Sequence, residues 1–464
     1  MCNVSLNGTQ PSDASLRVLR ALEAAGLEAW YVGGWVRDAL MGCPSHDVDM
    51  CCSGLWQESK EALEAADIAV VESGIKFGGI TAICDDERIE VTTYRLDGFY
   101  TDGRHPQSVE RAASLEDDLA RRDFTVNAMA WHPERGLVDR YDGQGDLDRK
   151  LIRAVGDPKR RFNEDALRML RAVRFACRLD FMIEPKTKQA LAECAPLLDA
   201  VARERVGIEL EGILSTGHGG DAMLRYPELV CAAVPELASA RGFDQRSVYH
   251  AFNVYEHIAR VLTVAGELAL CDGVAPSSSL MWAAFLHDVS KPECFTVDHD
   301  GSGHFYGHPE LGAKKARVIM DRLALSHDLV RDVCLLIKYH DKPLRPERSC
   351  LLNMMRALSG EGVDTPRLMD ELMDLKRADT LGKAPSCFYY VETIEEMRTL
   401  AHDLLQAGEP YTLKMLAING GDLIRAGVKP GPELGQLLNA ALDAVIEDNI
   451  PNNREALLTH LHLG

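Results

Sequence analysis

Two adjacent glycines, Gly33 and Gly34, constrain this chain more than any other feature. They follow the apolar residues 30–32, which predict a short buried strand, and they precede residues 35–41, which predict a short helix. Glycine permits a tight turn and a close approach of the backbone to a ligand. Such a turn at a helix N-terminus presents free N–H groups and the positive end of a dipole, so it suits a phosphate. Arg37, one helical turn later, can add a charged fork.

Two carboxylates, Asp47 and Asp49, follow on the next predicted strand. Residues i and i+2 of a strand point to the same face, so both side chains converge. Close carboxylates are costly unless a cation joins them, and hard oxygen ligands suit Mg²⁺ that carries a triphosphate. We therefore predict that Asp47 and Asp49 are catalytic and bind Mg²⁺, as in nucleotidyl transfer by two metal ions. A solvated Asp-x-Asp turn is the alternative, and Glu90 is either a third carboxylate of the site or an exposed charge.

Length and cysteine usage limit the class of protein. The 464 residues suffice for several domains, and no apolar run is long enough to span a bilayer. The N-terminus lacks the basic and apolar regions of a secretory signal. Thirteen scattered cysteines without a Cys-x-x-Cys pair favour reduced thiols. We therefore expect a cytoplasmic protein that has no membrane partner.

Net charge and local charge point in different directions. The formal net charge of −20 argues, taken alone, against nucleic acid as a partner, and we expect no DNA. One segment, which we call the basic run, is nevertheless rich in cations and poor in acids: Arg149, Lys150, Arg153, Lys159, Arg160, Arg161, Arg168, Arg171, Arg174 and Arg178. Such runs are usually solvated helix faces, and here a phosphate-facing surface is at least as well supported.

The order of predicted elements is that of a mixed sheet followed by helices. Residues 13–26 predict a helix, residues 80–84 and 88–94 paired strands, and the alternating residues 124–131 a further strand. Residues 97–106 predict a loop, and the turn-rich residues 139–145 end the sheet. Helices dominate afterwards. Asn163 is the predicted N-cap of a helix over residues 164–176, whose buried stripe includes Leu167, Leu170 and Val173.

Two residues of that helix, Asp165 and Arg168, fit the Watson–Crick edge of cytosine or adenine. Both bases present an exocyclic amine beside an unprotonated ring nitrogen, whereas uracil and guanine present a carbonyl beside an N–H. A carboxylate accepts from the amine, and a guanidinium donates to the ring nitrogen. The pair would select C or A by roughly 10²-fold or more. A row of ion pairs on a solvent face is the alternative.

Taken together, these motifs resemble the class II tRNA nucleotidyltransferases, the CCA-adding enzymes of the polymerase β superfamily. The resemblance covers about residues 28–212. Its motifs are Gly33-Gly34-x-Val36-Arg37-Asp38, Asp47-x-Asp49, Arg121-Arg122-Asp123-Phe124-Thr125-x-Asn127-Ala128, Glu164-Asp165-x-Leu167-Arg168, and Ala202-Arg203-Glu204-Arg205 with Glu209. The resemblance implies Mg²⁺ as cofactor, CTP and ATP as substrates, and tRNA as primer.

The resemblance also implies roles for residues and an order of domains. Asp47 and Asp49 hold the metals, and the residues expected to bind nucleotide are Gly33, Gly34, Arg37, Arg122, Asp123, Asn127, Glu164, Asp165, Arg168, Arg171 and Arg174. The implied fold is α+β. A nucleotidyltransferase head with a mixed sheet (residues 1–148) precedes an all-α neck (149–245), an HD-like body (246–385) and a tail (386–464).

Bacterial poly(A) polymerases resemble the same core. They carry basic tails and a basic segment after the metal motif, whereas residues 74–81 and the C-terminus of this chain are not basic. That difference favours CCA addition. CC-adding enzymes resemble the same core with a shortened loop, and residues 97–106 look intact. An enzyme that adds only A stays an alternative.

A second set of candidate metal ligands begins beyond residue 245. His257, His287, Asp288 and Asp379 stand in the order typical of HD phosphohydrolases, and His308 and His340 lie between them. Imidazoles and carboxylates from several helices can bind a divalent transition metal and activate water. Isolated histidines are usually structural, but the ordered set predicts a second metal site. A phosphohydrolase whose head only binds RNA is therefore an alternative function.

Overall fold

The computed structural model describes residues 6, 9–45, 47–73, 75, 78–97, 109–271, 273, 275–447 and 450–463. The chain divides into two compact units, residues 1–213 with 226–233, and residues 214–225 with 234–464. The predicted α+β class is confirmed, since a mixed sheet near the N-terminus precedes a long helical part. The loop predicted over residues 97–106 lies, apart from Asp97, outside the described residues.

A seven-stranded mixed sheet organises the first unit. Its strands are β1 (Ala29–Val32), β2 (Val48–Cys52), β3 (Ala69–Val71), β4 (Gly79–Cys84), β5 (Glu87–Thr93), β8 (Met129–His132) and β9 (Gly136–Asp139). Two short strands that lie between β5 and β8 in the sequence, β6 (Arg95–Asp97) and β7 (Val109–Arg111), form a separate antiparallel pair. The sheet order is β3-β4-β5-β2-β1-β8-β9. Only β2 and β5 run parallel, and their register sets Asp49 opposite Glu90. A parallel pair in register directs these two side chains to one face.

Three helices cover or edge this sheet: α1 (Asp13–Ala24), α2 (Gly34–Leu40) and α3 (Trp56–Ala65). Val18 and Leu22 of α1 are fully buried in the cluster that also holds Tyr31 and Met50 of the sheet. Each such side chain contributes about 1.5–3 kcal/mol by leaving water. This packing holds the central strands β1 and β2, and the glycine turn lies at the end where β1 stops and β2 starts.

The strand predicted over residues 124–131 is wrong in its first half. Residues Thr125–Asn127 form a 3₁₀ helix, and β8 begins only at Met129. The backbone N–H of Thr125 donates to the carbonyl of Arg153, and the Asn127 side chain is bonded to Arg37 and Asp123. All of these positions are buried whether or not the backbone is extended, so an alternating pattern could not distinguish the two conformations.

The rest of the first unit is helical apart from a small parallel pair, β10 (Leu151–Ile152) and β11 (Met182–Ile183). Its helices are α4 (Leu115–Ala120), α5 (Gly143–Asp148), α6 (Pro158–Glu164), α7 (Leu167–Leu179), α8 (Pro185–Cys194), α9 (Arg203–Leu214) and α11 (Pro227–Ala233), while α10 (Gly219–Arg225) belongs to the second unit.

The predicted start of the helix over residues 164–176 is also wrong. Asp157 caps α6, Asp165 breaks the helix with φ −146° and ψ 106°, and α7 starts at Leu167. Asn163 lies inside α6 and donates to the carbonyl of Lys159 instead of capping. The Asp165 carboxylate accepts from the backbone N–H of Leu167, so it competes with the helix for this residue.

The second unit is a helical array with one short hairpin, β12 (Thr296–Val297) and β13 (Gly303–His304). Its further helices are α12 (Val254–Cys271), α13 (Ser278–Leu286), α14 (His308–Arg322), α15 (His327–Tyr339), α16 (Arg348–Leu358), α17 (Thr365–Gly382), α18 (Tyr390–Gln406), α19 (Gly420–Arg425), α20 (Pro432–Glu447) and α21 (Arg454–His460). Helix α13 is buried on all sides and packs on α12, α15 and α17. Among the described helices, we find none whose length and apolar content would let it cross a membrane.

Candidate active site

The glycine turn places two functional side chains against the backbone. Gly33 precedes α2 with φ +70°, a conformation that L side chains rarely adopt. A Cβ at this position would lie 3.1 Å from Nη1 of Arg122 and 3.4 Å from Oδ2 of Asp49. Helix α2 begins at the next residue, Gly34. The absence of a side chain at Gly33 therefore leaves space for an arginine and a carboxylate beside the N-terminus of this helix.

Two further carboxylates lie near Asp49, but among the described residues these three do not form a cluster whose ligand atoms all lie within 4.8 Å of one another. Asp49 lies on β2 opposite Glu90 of β5, and Asp47 immediately precedes β2. Burial, then the negative charges of Glu90 and Asp47, raise the pKa of Asp49 to about 6, against the opposing effect of Arg122. The ionised carboxylate is thus disfavoured by its surroundings. An oxygen-only set with excess negative charge suits a hard divalent cation such as Mg²⁺.

A buried aspartate that the sequence analysis did not single out holds Arg122. Asp118 is fully buried on α4, and its two oxygens lie 2.6 Å from Nη2 of Arg121 and 3.1 Å from Nη2 of Arg122. Burial by itself would raise the pKa of Asp118, but Arg122 and Arg121 outweigh it and hold this pKa below its ordinary value. The acid three residues before Arg121 was the available signal, because i,i+3 and i,i+4 neighbours meet on a helix.

Arg37 does not extend freely from the turn. It is buried, its Nη1 donates to Oδ1 of Asn127 over 2.7 Å, and its Nη2 lies 2.7 Å from Oδ1 of Asp38. Its guanidinium also stacks over the ring of Phe175 at 5.4 Å. The structure therefore places Arg37 as a bridge between α2 and the 3₁₀ segment that carries Asn127.

Asp123 is the centre of a second ion-pair group. Its Oδ2 accepts from Nε and Nη2 of Arg171 over 3.0 and 2.8 Å, and its Oδ1 accepts from the Asn127 side chain over 3.3 Å. Burial opposes ionisation, but Arg171 holds the pKa of Asp123 below its ordinary value. Asp123, Asn127 and Arg171 are thus one connected unit beside Arg37.

The two residues proposed to read a base are both engaged with protein groups. Oδ2 of Asp165 lies 3.0 Å from Nη2 of Arg205. Arg168 is buried, its Nη1 lies 2.8 Å from Glu164, and its Nη2 donates to the carbonyl of Arg121 over 3.0 Å. These contacts fix both side chains, so any base would meet preset groups. The Arg205 contact was not predicted, although residues 202–205 belong to the motifs quoted above.

Half of the basic run is paired with acids that lie outside it, and Arg160, Arg161 and Arg168 pair with Glu164 within it. Arg174 lies 3.1 Å from the buried Glu209, Lys159 contacts Glu193, and Arg149 and Arg153 both contact the buried Asp146. The scarcity of acids within the run was therefore misleading, because the fold supplies them from other segments.

A separate cluster in the second unit contains four histidines and two aspartates, which we call the histidine–aspartate centre: His257, His287, Asp288, His308, His340 and Asp379. Nε2 of His257 lies 3.0 Å from Oδ1 of Asp379 and 3.4 Å from Nε2 of His287. Nε2 of His308 lies 3.4 Å from Nε2 of His340. All six residues are buried.

The hydrogen bonds of the four Nδ1 atoms explain why the Nε2 atoms face one another. Nδ1–H of His287, His308 and His340 donates to the backbone carbonyl three residues earlier over 2.9, 2.8 and 2.7 Å, and Nδ1–H of His257 donates to the carbonyl of Gly382 over 3.2 Å. This arrangement leaves a lone pair on each Nε2. Four such lone pairs cannot satisfy one another, so the donor chemistry fits metal cations.

Asp288 joins two halves of this centre. One group of potential metal ligands is His257, His287 and Asp288, and the other is Asp288, His308 and His340. The sequence prediction named His257, His287, Asp288 and Asp379 as ligands, and the structure brings all four together. His308 and His340 were noticed in the sequence but left out of the predicted ligand set.

Comparisons with known proteins agree with this arrangement. Family models match residues 29–153 (poly A polymerase head domain), 180–240 (probable RNA and SrmB-binding site of polymerase A), 254–383 (HD domain) and 383–461 (tRNA nucleotidyltransferase domain 2, putative).

Relatives match nearly the whole chain. The CCA-adding enzyme of Streptococcus mutans is 32% identical over 96% of this chain and 95% of its own length, and that of Streptococcus sanguinis is 31% identical over 98% of each. The crystal structure of the Bacillus stearothermophilus CCA-adding enzyme in complex with CTP aligns with a TM-score of 0.71 at 25% identity over 98% of each chain. The Thermotoga maritima enzyme shares the fold at 21% identity, with a TM-score of 0.62 over 100% of this chain and 98% of its own. This chain therefore belongs to the CCA-adding enzymes, the tRNA nucleotidyltransferases.

Proposed function

We propose that the first unit adds C, C and A to the 3′ end of tRNA from CTP and ATP, with the glycine turn and the carboxylates of β2 as its catalytic site. The observation that carries this proposal is the position of Asp49 beside Gly33 at the N-terminus of α2, with Glu90 opposite it on β5 and Asp47 two residues before it. Relatives about 32% identical over almost the whole chain support the substrate assignment. An RNA partner is compatible with the basic run, although much of the charge of this run is paired within the protein.

The proposed chemistry assigns the following tasks to the residues of this chain. Asp47 and Asp49, with Glu90 as a third carboxylate, hold the metals. Bound Mg²⁺ supplies positive charge to the α-phosphate and to the leaving pyrophosphate. The turn at Gly33 and Gly34 presents N–H groups to the triphosphate, and Arg122, held by Asp118, adds a guanidinium beside it. The primer 3′-hydroxyl attacks the α-phosphate and its proton passes to water, so one P–O bond forms while the P–O bond to the leaving pyrophosphate breaks.

We further propose that Asp165 and Arg168, fixed by Arg205 and Glu164, present the hydrogen-bonding pattern that accepts cytosine or adenine. Arg171, Asp123 and Asn127 then position the sugar and phosphates, together with Arg37 and Arg174. The relatives do not favour a poly(A) polymerase or an enzyme that adds only A. They are CCA-adding enzymes, and this chain matches nearly their whole length.

The experiment that tests the transferase proposal uses a tRNA transcript that lacks its terminal trinucleotide. The chain is supplied with Mg²⁺ and CTP, with ATP, or with both, and the products are resolved at single-nucleotide length. We expect two additions with CTP alone and three with both, after which addition stops. Asp49→Asn should reduce the rate by at least about 10³-fold, as expected when a metal ligand is lost. Asp86→Asn, in an exposed turn of the same sheet, is the matched control. Addition that continues beyond the third nucleotide would contradict the proposal.

A second activity is favoured by a separate observation. The histidine–aspartate centre offers four imidazole lone pairs and two carboxylates in a buried site, and the chain matches the HD domain there. We propose that it is a phosphohydrolase centre that binds divalent transition metals, with Asp288 shared between two ligand groups. Bound metals supply an activated water. Lys291, 2.7 Å from Oδ2 of Asp288, orients that carboxylate.

This second proposal is tested by metal content and by hydrolysis. The purified chain, loaded with Mn²⁺, Co²⁺ or Ni²⁺ and desalted, should retain about one equivalent more than a His287→Ala variant, because His287 belongs to only one of the two ligand groups; elemental mass spectrometry measures the difference. The wild type should hydrolyse p-nitrophenyl phosphate, and His287→Ala should not. His327→Ala, on the exposed first residue of α15, is the control. Equal metal content in the wild type and in His287→Ala would exclude the centre.

We also propose the four-part division into residues 1–148, 149–245, 246–385 and 386–464. The family models that match residues 29–153, 180–240, 254–383 and 383–461 support it, because each model ends within five residues of a proposed boundary. Limited proteolysis with sequencing of the fragments tests the division.

A further inference from the structure

A cavity of about 630 Å³ reaches the histidine–aspartate centre from solvent. His340 and Asp379, two residues of the centre, form part of its wall. Four cationic side chains also line it: Lys342, Arg345, Lys376 and Lys383. A volume of this size accommodates a nucleotide or another metabolite of similar size.

The charge of this cavity differs from that of the chain. The whole chain has 71 acidic and 51 basic side chains, so an average surface is acidic. In the cavity, the four cations face only Asp341 and Glu347 once Asp379 is counted with the centre. With Asp379 included, the lining has four cations against three carboxylates, and a concave site with a net positive charge concentrates anionic ligands. The cavity is therefore suited to an anion.

Two of the cations stand at the inner end, next to the centre. Nζ of Lys383 lies 2.6 Å from Oδ2 of Asp379. Nζ of the buried Lys376 donates to the backbone carbonyls of His340 and Lys342, over 2.7 Å each. An ammonium group has three donors, so these contacts use one donor of Lys383 and two of Lys376. Both side chains are held in place and can still donate to the oxygens of a phosphate at the centre.

The other two cations stand at the outer end. The side chain of Arg345 is 79% exposed, and its ion pair with Glu347 is long, 3.8 Å between Nη1 and Oε1. Lys342 is exposed, with its ammonium 5.7 Å from the centre of the Tyr339 ring. Neither cation is needed to bind a phosphate at the metals, because the inner pair already flanks that position.

We propose that this cavity is the substrate site of the centre and that its substrate is a phosphate ester with a second anionic group, which Lys342 and Arg345 bind while the inner phosphate reacts. This inference rests on the proposed phosphohydrolase activity. Water adds to phosphorus, the P–O ester bond breaks, and the alcohol leaves with a proton from that water, so atoms and charges balance without a further reactant. A bisphosphate of a nucleoside or of a sugar has this chemistry.

The kinetic test compares three substrates of the full-length, Mn²⁺-loaded protein: adenosine 3′,5′-bisphosphate, fructose 1,6-bisphosphate and p-nitrophenyl phosphate, which has one phosphate only. Lys342→Ala/Arg345→Ala should lower kcat/KM for the bisphosphates about tenfold, as expected for the loss of two exposed ionic contacts, and change it less than twofold for p-nitrophenyl phosphate. Preference for one bisphosphate over the other distinguishes a nucleoside from a sugar. Equal losses for all three substrates, or no loss, would overturn the proposal.

Lys338→Ala is the matched control, because Lys338 also stacks on the Tyr339 ring, at 5.1 Å, but does not line the cavity. It should leave all three values unchanged.

Binding separates this inference from the hydrolase proposal. Isothermal titration of adenosine 3′,5′-bisphosphate into the Mn²⁺-loaded protein should show a site that Lys342→Ala/Arg345→Ala weakens at least fivefold and Lys338→Ala does not. If this difference is found but no ester is hydrolysed, the hydrolase proposal fails and the anion site stands. If the wild type hydrolyses p-nitrophenyl phosphate but Lys342→Ala/Arg345→Ala binds the bisphosphate as tightly as Lys338→Ala does, the anion site fails and the hydrolase proposal stands.

Discussion

Single residues in the first unit act mainly by holding other residues. Asp118 illustrates this, since it contacts no proposed metal ligand and yet fixes Arg122, which lies beside Gly33 and Asp49. A carboxylate that is fully buried between two arginines is costly to remove, because the arginines lose their compensating charge. Such positioning residues extend the candidate active site beyond the side chains proposed to touch the substrate.

We predict that Asp118→Asn lowers the free energy of unfolding by about 3 kcal/mol at pH 7, because it leaves two arginines with a neutral partner. The pKa of Asp118 is lower in the fold than its ordinary value, so its contribution is complete above about pH 4 and is lost as pH falls through the pKa of the folded state. The destabilisation should therefore shrink below about pH 4. Urea unfolding at pH 7 and at pH 3.5 measures both values.

Asp117→Asn is the control for this prediction, since Asp117 accepts from the Ser114 hydroxyl on the same helix. It should cost less than about 1 kcal/mol. A destabilisation by Asp118→Asn that is the same at both pH values would show that the ionised carboxylate is not what stabilises this region.

At the scale of elements, glycines decide where backbones and side chains approach closely. Gly33 starts α2 beside Arg122 and Asp49, and Gly266 of α12 lies against the backbone of Gly217. The first contact shapes a candidate catalytic site, and the second joins a helix to the preceding segment of its own unit. Each can be tested against a glycine that has free space around it.

We predict that Gly33→Ala lowers the rate of nucleotide addition at least tenfold, because its Cβ would lie 3.1 Å from Nη1 of Arg122 and would move this guanidinium by a few tenths of an ångström. Gly26→Ala is the control, since Gly26 also has a positive φ, +80°, but its Cβ would meet nothing within 4 Å. Both variants should lose about 1 kcal/mol of stability from backbone strain. Equal rates of nucleotide addition in the two variants would contradict the prediction, because backbone strain is common to both and the contact with Arg122 is not.

We predict that Gly266→Ala destabilises the second unit by about 2 kcal/mol or more, because its Cβ would lie 2.2 Å from the carbonyl oxygen of Gly217. Backbone atoms cannot rotate away as a flexible side chain can. Gly435→Ala, at an exposed position of α20 with open space around it, should instead stabilise by about 0.5–1 kcal/mol through helix propensity. Thermal unfolding of the two variants would give shifts of opposite sign, and shifts of the same sign would contradict this packing.

At the scale of the whole molecule, the two units hold two chemically different candidate sites. The first site offers carboxylate oxygens only, and the second offers imidazole nitrogens with carboxylates. Hard cations such as Mg²⁺ prefer the former set, and transition metals prefer the latter. The two sites should therefore differ in the metal that they bind and respond independently to mutation.

We predict that Asp49→Asn abolishes nucleotide addition but leaves hydrolysis of p-nitrophenyl phosphate within twofold of the wild type, and that His287→Ala has the reverse effect. The reason is that no ligand is shared between the two sites. Both activities are measured on the same preparations, with circular dichroism as the check on folding. Loss of both activities in either variant, with folding intact, would contradict independence.

The sequence by itself determined the elements that depend on local chemistry. The glycine turn, the strand with Asp49, its neighbour with Glu90 and the ordered histidines were predicted from the chain, because turn residues, alternation and spacing are local properties. Motif resemblance identified the family, which near full-length relatives then showed.

Only the tertiary structure decided which partners those residues have. Asp118 holds Arg122, Arg205 pairs with Asp165, and Glu209 compensates Arg174, and each partner lies outside the motif it serves or arrives from another helix. The break at Asp165 is local, since its carboxylate accepts from the N–H of Leu167, but the 3₁₀ segment at Thr125–Asn127 was missed for the same reason. Burial and side-chain bonds to distant residues outweigh local propensity there, and a linear pattern does not contain those distances.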